Sequence, residues 1–364
     1  MLSSLLYVDD VLDITGNLID RMEAHKQALI FEKQNNVRLS GSKCYSMALN
    51  FDEDVPILKI DDKKYVIPAE QIVYLGDVFN MHGDNDSLIQ DRIRRGTKAT
   101  ICITSLMQET NLGIHETNVW LLLYRSLFLS TVLFNSQTWS RLRKKDVNKL
   151  KVMQQKFLKR IFSLPSSTPN SFLFLELGVL PIEVEINKRQ LMYLHRILQL
   201  PTDDPVHQMF DVQVTLDQQG EENWWSGVKP LLTKYGLPQD LNLLKQLSKD
   251  AFKRLVSRNL KAVTFDSLVA ECKSLKKTAD LTYTSFEMQS YLKHLFPNQA
   301  KHIIRSRCQI LDLKSQNTIS SKAIQAVGDV GLRTKPWSML LTVNTKKFLM
   351  LTSTTLRLMS NSWS

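Results

Sequence analysis

Short runs of apolar residues separated by acidic or polar residues begin the chain. Two apolar pairs, Leu5-Leu6 and Val11-Leu12, flank the sequence Tyr7-Val8-Asp9-Asp10. Short apolar strands on either side of an acidic corner predict a β-hairpin whose tip carries adjacent carboxylates. From Leu18 to Asn35, apolar residues recur among charged ones at helical spacing. This pattern predicts an amphipathic helix.

The following segment changes from helical spacing to turns and alternation. Leu39 to Lys43 predict a turn, and an alternating strand follows through Cys44 to Asn50. A second hairpin-like stretch covers residues 57–67, and the sequence Tyr74 to Gly83 comes after it. We therefore expect the first 84 residues to contain most of the β structure.

From Asp84 onward the pattern is helical to about residue 315, and Asp84 to Ser87 carry a helix N-cap signal. Prolines interrupt the pattern at 163–170 and 201–205, where we expect breaks. The tail after Asn317 has no steady periodicity, so no fold is assigned to it. The predicted helices cover residues 87–108, 115–140, 145–162, 181–200, 240–260 and 283–297.

Composition indicates the type of partner and the cellular compartment. The 364 residues carry a net charge of +11, which favours a polyanionic partner such as nucleic acid; the alternative is a soluble basic protein without such a partner. No apolar run of about 18 residues occurs, so no membrane span is expected. The four cysteines lie far apart, without zinc or disulfide spacing, and the N-terminus does not resemble a signal peptide. These features predict an intracellular protein, nuclear or cytoplasmic, and not a secreted one.

Three segments together resemble one protein family, the reverse transcriptases. Tyr7 to Asp10 match the two-carboxylate motif of the family's palm, and Leu39 to Met47 look like the next palm motif. Tyr74 to Gly83 are similar to the primer-grip hairpin that ends the palm. Downstream segments, including Gln154–Ile161 and Glu176–Ile182, resemble the non-LTR (LINE-type) retrotransposon polymerases. The resemblance extends from Leu5 to about Asn317.

The resemblance implies an α+β fold that is mostly α. Residues 1–84 would form a truncated palm with a small antiparallel sheet, and residues 85–165 would form thumb-like helices. Residues 166–317 would form a helical C-terminal extension. The tail, 318–364, is expected to be disordered or translated out of frame, because its codons can encode Cys and His residues when shifted by one nucleotide.

The resemblance also assigns catalytic roles to three residues. Nucleotidyl transfer in this family uses two Mg²⁺ ions, so Mg²⁺ is the implied cofactor. Asp9 would be the ligand shared by both ions and Asp10 a weaker ligand. Lys43 would act as a general acid or neutralise the departing pyrophosphate; the alternative is a solvated turn lysine. Tyr74, Leu75 and Gly76 would belong to the primer grip.

Basic residues on the first thumb-like helix are candidates for contacting phosphates. Arg92, Arg94, Arg95 and Lys98 lie there, and Arg92 and Arg95 share a face at i, i+3 spacing. The alternative is a charged face in contact with solvent. Further candidates are found at 141–145 and at Lys156, Lys159 and Arg160. Trp139, Trp224 and Trp225 are predicted to be core anchors rather than base-stacking platforms.

The implied function is that of a fragment of an RNA-directed DNA polymerase, a nucleotidyltransferase acting on an RNA template and a DNA primer. The family's third metal-binding aspartate belongs to a strand upstream of the Tyr7–Asp10 motif, so we expect this chain to be inactive alone. A non-catalytic, basic nucleic-acid-binding remnant is the alternative, and a helical scaffold for protein partners is a third possibility. No membrane partner and no small-molecule cofactor are expected.

Overall fold

The computed structural model shows a mostly helical chain with a few small two-stranded sheets. The predicted fold class is therefore confirmed to this extent: the described chain is mostly α-helical and has a small amount of β structure. Asp9 and the predicted tail at 318–364 lie outside the described residues. The structure describes residues 4–7, 10–41, 43–49, 57–60, 65–109, 117–140, 142–293 and 297–309.

The predicted hairpin and helix at the start of the chain are both present. Strand β1 (Ser4–Tyr7) pairs antiparallel with β2 (Asp10–Asp13). Helix α1 (Leu18–Asn35) has the predicted ends. It begins where the Asn17 side chain accepts a hydrogen bond from the Asp20 backbone N–H (2.8 Å) and ends at Asn36, which has a left-handed conformation. Both caps are local signals that favour these ends.

Two further strand pairs follow α1. Strand β3 (Tyr45–Ser46) lies parallel to β4 (Ile67–Pro68). Strand β5 (Gln71–Tyr74) forms an antiparallel hairpin with β6 (Asp77–Asn80). Arg21 on α1 donates a hydrogen bond to the Ser46 hydroxyl (2.8 Å), which joins α1 to the β3–β4 pair.

The helices after the sheets begin with α2 (Asp86–Glu109), which matches its prediction. The second predicted helix is interrupted by a π-helical turn, Tyr124–Leu129, between α3 (Thr117–Leu123) and α4 (Ser130–Val132). The remaining helices are α5 (Lys144–Ile161), α6 (Asn170–Leu177), α7 (Ile182–Leu198), α8 (Pro205–Gln218), α9 (Trp224–Lys234), α10 (Leu241–Gln246), α11 (Lys249–Ser274) and α12 (Pro297–Arg307).

Two predicted helices are wrong. The helix predicted at 240–260 is divided, because Leu247 is extended and the Ser248 side chain caps a new helix by accepting from the Ala251 N–H (3.3 Å). The helix predicted at 283–297 is absent from residues 283–293, where a single 3-10 turn, Ser290–Lys293, forms. The next helix starts at Pro297, a residue that favours the first helical turn.

The core lies among the helices. Tyr124, Phe128 and Phe157 stack on one another with ring centroids 4.7–5.6 Å apart. The buried Gln154 side chain joins three segments at this point. It donates to the Tyr124 hydroxyl (2.6 Å) and the Leu180 carbonyl (2.9 Å), and it accepts from the Ile182 N–H (2.8 Å). No described helix is long and apolar enough to cross a membrane.

Candidate nucleic-acid interface

The first hairpin carries the predicted acidic motif. Tyr7 lies opposite Asp10 in the strand pairing. Asp10 begins β2 and is exposed. Asp13 lies at the other end of β2, about 10 Å away at ~3.3 Å per residue, and accepts a hydrogen bond from Ser4 (2.5 Å). The hairpin therefore keeps Asp10 and Asp13 apart.

Metal-ligating side chains do not cluster in the part of the chain that the structure describes. Mg²⁺ takes several oxygen ligands in near-octahedral geometry. Among the residues that the structure describes, no three His, Cys, Asp or Glu side chains lie close enough together to hold a metal ion. Asp10 is the described carboxylate of the motif. The Mg²⁺ site at Asp9 and Asp10 therefore stays a prediction.

Lys43 lies in the predicted turn after α1. Its backbone N–H donates to the Ser40 carbonyl (2.8 Å), and its side chain is exposed. An exposed turn lysine is compatible with both a phosphate contact and simple solvation, so its role stays a prediction.

The second hairpin, which contains Tyr74, Leu75 and Gly76, is anchored to the helical region. Leu75 and Gly76 form its two-residue loop and both have positive φ (47° and 85°), as type I′ turns require. The Gly76 carbonyl accepts a hydrogen bond from Arg92 (3.0 Å). Asp77, the next residue, accepts from both Arg92 and Asn135. The hairpin is therefore held by side chains of α2 and of the segment after α4.

These contacts correct the prediction for Arg92. Its side chain is 1% exposed, pairs with Asp77, and lies 5.1 Å from the centroid of the Phe134 ring. A guanidinium enclosed in this way cannot reach a phosphate outside the protein. Arg92 positions the second hairpin, and it does not belong to an exposed basic face with Arg95.

The other predicted cations of α2 differ in their availability. Arg94 and Arg95 both lie 2.6 Å from Asp91, which reduces the positive charge that they present. Lys98 is exposed. Within the described residues Lys98 has no ion-pair partner. It is therefore the most available of the four predicted phosphate contacts.

A second basic surface lies on α5, and we call it the α5 row. Its residues are spaced by four, seven and four positions, so they share one helix face over about 22 Å at ~1.5 Å per residue. All of them are exposed. The α5 row consists of Lys145, Lys149, Lys156 and Arg160.

Charge along the α5 row is neutralised at one end only. Lys145 lies 3.6 Å from Asp86, and Lys149 lies 3.5 Å from Asp146. Lys156 and Arg160 have no ion-pair partner within the described residues. The sequence contains no Asp or Glu from 147 to 175, which explains why this end keeps its charge.

Lys159 was predicted as a phosphate contact together with Lys156 and Arg160, but its surroundings differ from theirs. Its ammonium donates to the Ser166 carbonyl (2.7 Å). Burial lowers the pKa of this lysine. Lys159 therefore stabilises the loop after α5 instead of presenting its charge to solvent.

The three tryptophans are buried, so their prediction as core residues is confirmed. Trp139, Trp224 and Trp225 are 3%, 8% and 5% exposed. The Trp224 indole N–H donates to the Gln137 carbonyl (2.8 Å).

Sequence reasoning missed the full α5 row and the role of Asp77. The row could have been recognised from its helical spacing together with the acid-free segment 147–175. The Arg92–Asp77 pair has no such local signal, because the two residues are on different elements.

Comparison with known proteins gives no identification. The chain matches no protein-family model, no curated protein and no solved structure. The resemblance to reverse transcriptases thus depends on the sequence motifs alone.

Proposed function

We propose that this chain is a nucleic-acid-binding fragment of an RNA-directed DNA polymerase of the non-LTR retrotransposon type. The α5 row is the observation that carries the proposal. It presents four cations on one helix face, and two of them, Lys156 and Arg160, have no described ion-pair partner. Such a row contacts successive backbone phosphates without reading sequence. An RNA template and a DNA primer are the proposed partners.

The motif order supports the polymerase assignment. The acidic hairpin, the Lys43 turn and the Leu75–Gly76 hairpin follow one another as the resemblance expects. Asp9 and Asp10 are the proposed Mg²⁺ ligands of the complete enzyme.

Nucleic-acid binding can be tested by fluorescence anisotropy with an RNA–DNA hybrid between 50 and 200 mM salt. Lys156→Ala and Arg160→Ala should each weaken binding and reduce the slope of log affinity against log salt by about 1. Lys253→Ala and Arg254→Ala remove the same charge from exposed positions on α11 and serve as matched controls. Equal effects from the α5 and α11 substitutions would show that only net charge matters. That result would reject the α5 row as the nucleic-acid-binding surface.

Primer extension with Mg²⁺ and deoxynucleotides tests the catalytic part. We expect no template-dependent incorporation by this chain alone. Incorporation that is lost in Asp9→Ala would show that the chain is itself a polymerase and would contradict this expectation.

A further inference from the structure

Helix α8 has an apolar face that is exposed. The helix packs onto α7 and α9 through another face, where the Phe210 ring centroid lies 5.4 Å from that of Trp225. The exposed apolar side chains are spaced by three, three and four positions, so they form one row about 15 Å long at ~1.5 Å per residue. We call this row the α8 stripe, and it consists of Val206, Met209, Val212 and Leu216.

The α8 stripe is not what attaches α8 to the rest of the protein. His207 and Phe210 are the buried side chains of α8, and they hold it to its neighbours. The side chains of the stripe are 36–58% exposed. Single exposed apolar side chains are ordinary on a protein surface, whereas a contiguous apolar row is typical of a surface that binds another molecule.

The sequence around α8 is acidic in an otherwise basic protein. The chain has a net charge of +11, yet residues 197–228 contain six Asp or Glu residues and no Lys or Arg. At one end of the stripe, the Asp204 carboxylate accepts a hydrogen bond from the Val206 N–H (2.8 Å). At the other end, the Glu221 N–H donates to the Leu216 carbonyl (2.9 Å). Acidic residues therefore lie at both ends of the α8 stripe.

This combination of charge and apolar surface disfavours three kinds of occupant. Acidic residues repel the phosphates of a nucleic acid. Helices that lie on membranes carry Lys and Arg on their polar face, and α8 carries none. A second copy of α8 would place acidic ends against acidic ends whether the two helices ran parallel or antiparallel, and like charges oppose such a pair.

A helix with basic ends fits both the apolar row and the acidic residues. The backbone groups of α8 are bonded within the helix, so the stripe offers side chains and no edge with which a strand could pair. A partner helix keeps its own backbone bonds internal and packs a row of side chains against such a row. Lys or Arg at the ends of the partner's row would then lie near the acidic ends of the stripe.

We propose that the α8 stripe binds an amphipathic helix of another protein, whose apolar row is flanked at both ends by Lys or Arg. The apolar rows supply the contact, and the charges at the ends fix its position along α8. This interaction does not depend on the proposed polymerase function, because it uses no residue of the α5 row and none of the motif residues.

Fluorescence anisotropy of the full chain with a labelled amphipathic peptide of about 18 residues tests the proposal. The peptide has leucines at helical i, i+3, i+4 and i+7 spacing and lysines at both ends. A rearranged peptide has the same composition without helical periodicity, and a third peptide has Glu in place of Lys. We expect the amphipathic peptide to bind at least about tenfold more tightly than either of the others.

Substitutions at Met209 test whether the peptide binds to the stripe. Met209→Asp interrupts the apolar row and should weaken binding at least about tenfold, whereas simple attraction between opposite charges would strengthen it. Thr215→Asp adds the same charge at an exposed polar position of α8 and should not weaken binding. Met209→Gln removes the apolar contact without adding charge, so it decides the question if Met209→Asp does not fold.

Equal binding of the amphipathic and rearranged peptides, or an unchanged peptide affinity in the Met209 variants, would overturn the proposal. Self-association in sedimentation velocity that is lost in Met209→Asp would identify a second copy as the occupant. Binding to phosphatidylserine vesicles that is lost in Met209→Asp would identify a membrane. Either of these results would also overturn the proposal.

Discussion

Helices α1 and α5 are both 18 residues long, yet they lie in very different surroundings. Helix α5 buries six side chains, including Leu150 and Phe157, which are at most 2% exposed. Helix α1 buries none, and its Ile19 and Phe31 are 80% and 58% exposed. Both sequences favour a helix. Since most helix stability in proteins comes from packing, α1 should be far less stable than α5.

The same difference separates the regions to which these helices belong. Among the described residues before α2, Val66 is the one buried apolar side chain. In the helical region, α11 buries a side chain at every fourth position from Phe252 to Cys272. The first region thus has local structure with little core, whereas the second has both.

The difference between α1 and α5 should be largest in the hydrogen exchange of their backbone amides. We expect the α5 amides to exchange through global unfolding and the α1 amides through local opening. The opening free energies should differ by roughly 5 kcal/mol or more. Amide exchange measured by mass spectrometry or NMR tests this, and equal protection of the two helices would contradict it.

Removal of a phenylalanine side chain from each helix should give the next largest difference, in the free energy of unfolding. Phe157→Ala removes a ring stacked on Tyr124 and Phe128 and should lower the free energy of unfolding by about 3–5 kcal/mol. Phe31→Ala, on α1, should lower it by less than about 0.5 kcal/mol. Urea titration measures both values, and similar losses would show that α1 is packed in solution.

Arg92 joins the two regions, so its removal should also be costly. Arg92→Met leaves the Asp77 carboxylate buried without its guanidinium and should destabilise the chain by about 3 kcal/mol. Asp77→Asn in the same chain should recover part of that loss. Lys98→Ala provides the control and should weaken nucleic-acid binding without changing stability. The Arg92 role would be wrong if Arg92→Met left the urea midpoint unchanged.

Alkaline pH should destabilise the helical region through Cys308. Burial, followed by the nearby Glu176 carboxylate, raises the pKa of this thiol to about 12 from an ordinary value near 9. Its contribution to stability is full below pH ~9 and is lost as the pH rises towards 12, because the unfolded thiol ionises first. Cys308→Ala should therefore show a smaller loss in urea midpoint between pH 8 and pH 11 than the native chain. An equal loss of urea midpoint in Cys308→Ala and in the native chain would show that the Cys308 thiol does not cause the destabilisation.

The smallest expected effect concerns Leu75. Its φ of 47° is unfavourable for a residue with a Cβ, and its side chain is 42% exposed. Leu75→Gly should therefore stabilise the second hairpin by about 0.5–1 kcal/mol. Slower amide exchange at Ile72 and Phe79, a hydrogen-bonded pair of this hairpin, would show this, and faster exchange would indicate that the Leu75 side chain contributes packing.

Features encoded by neighbouring residues were predicted well. The ends of α1 follow from Asn17 and Asn36, and the first hairpin follows from its alternation. Helix α6 was missed because seven of its eight residues are buried, so its sequence has no polar face and no period. Helix α8 was also missed, although Asp204 and Pro205 form a recognisable cap.

Features that depend on distant residues were not predicted. The segment at 283–293 is held by Tyr283 and Tyr291, whose hydroxyls donate to the buried Glu176 carboxylate (2.7 and 2.5 Å). Arg307 completes this cluster at 2.9 Å. The tyrosines are more than 100 residues from Glu176, so helical periodicity around 283–297 could not reveal the contact.

The two-strand sheets also have a consequence for how long the chain survives in a cell. Every strand in the described part of the chain lies at a sheet edge, with backbone groups open on one side. Proteases cleave segments that open locally before they reach a packed core. Turnover should therefore begin before α2 and release a resistant fragment that starts near Asp86. The lifetime of the intact chain would be set by the opening of its first region, whatever the stability of its helices.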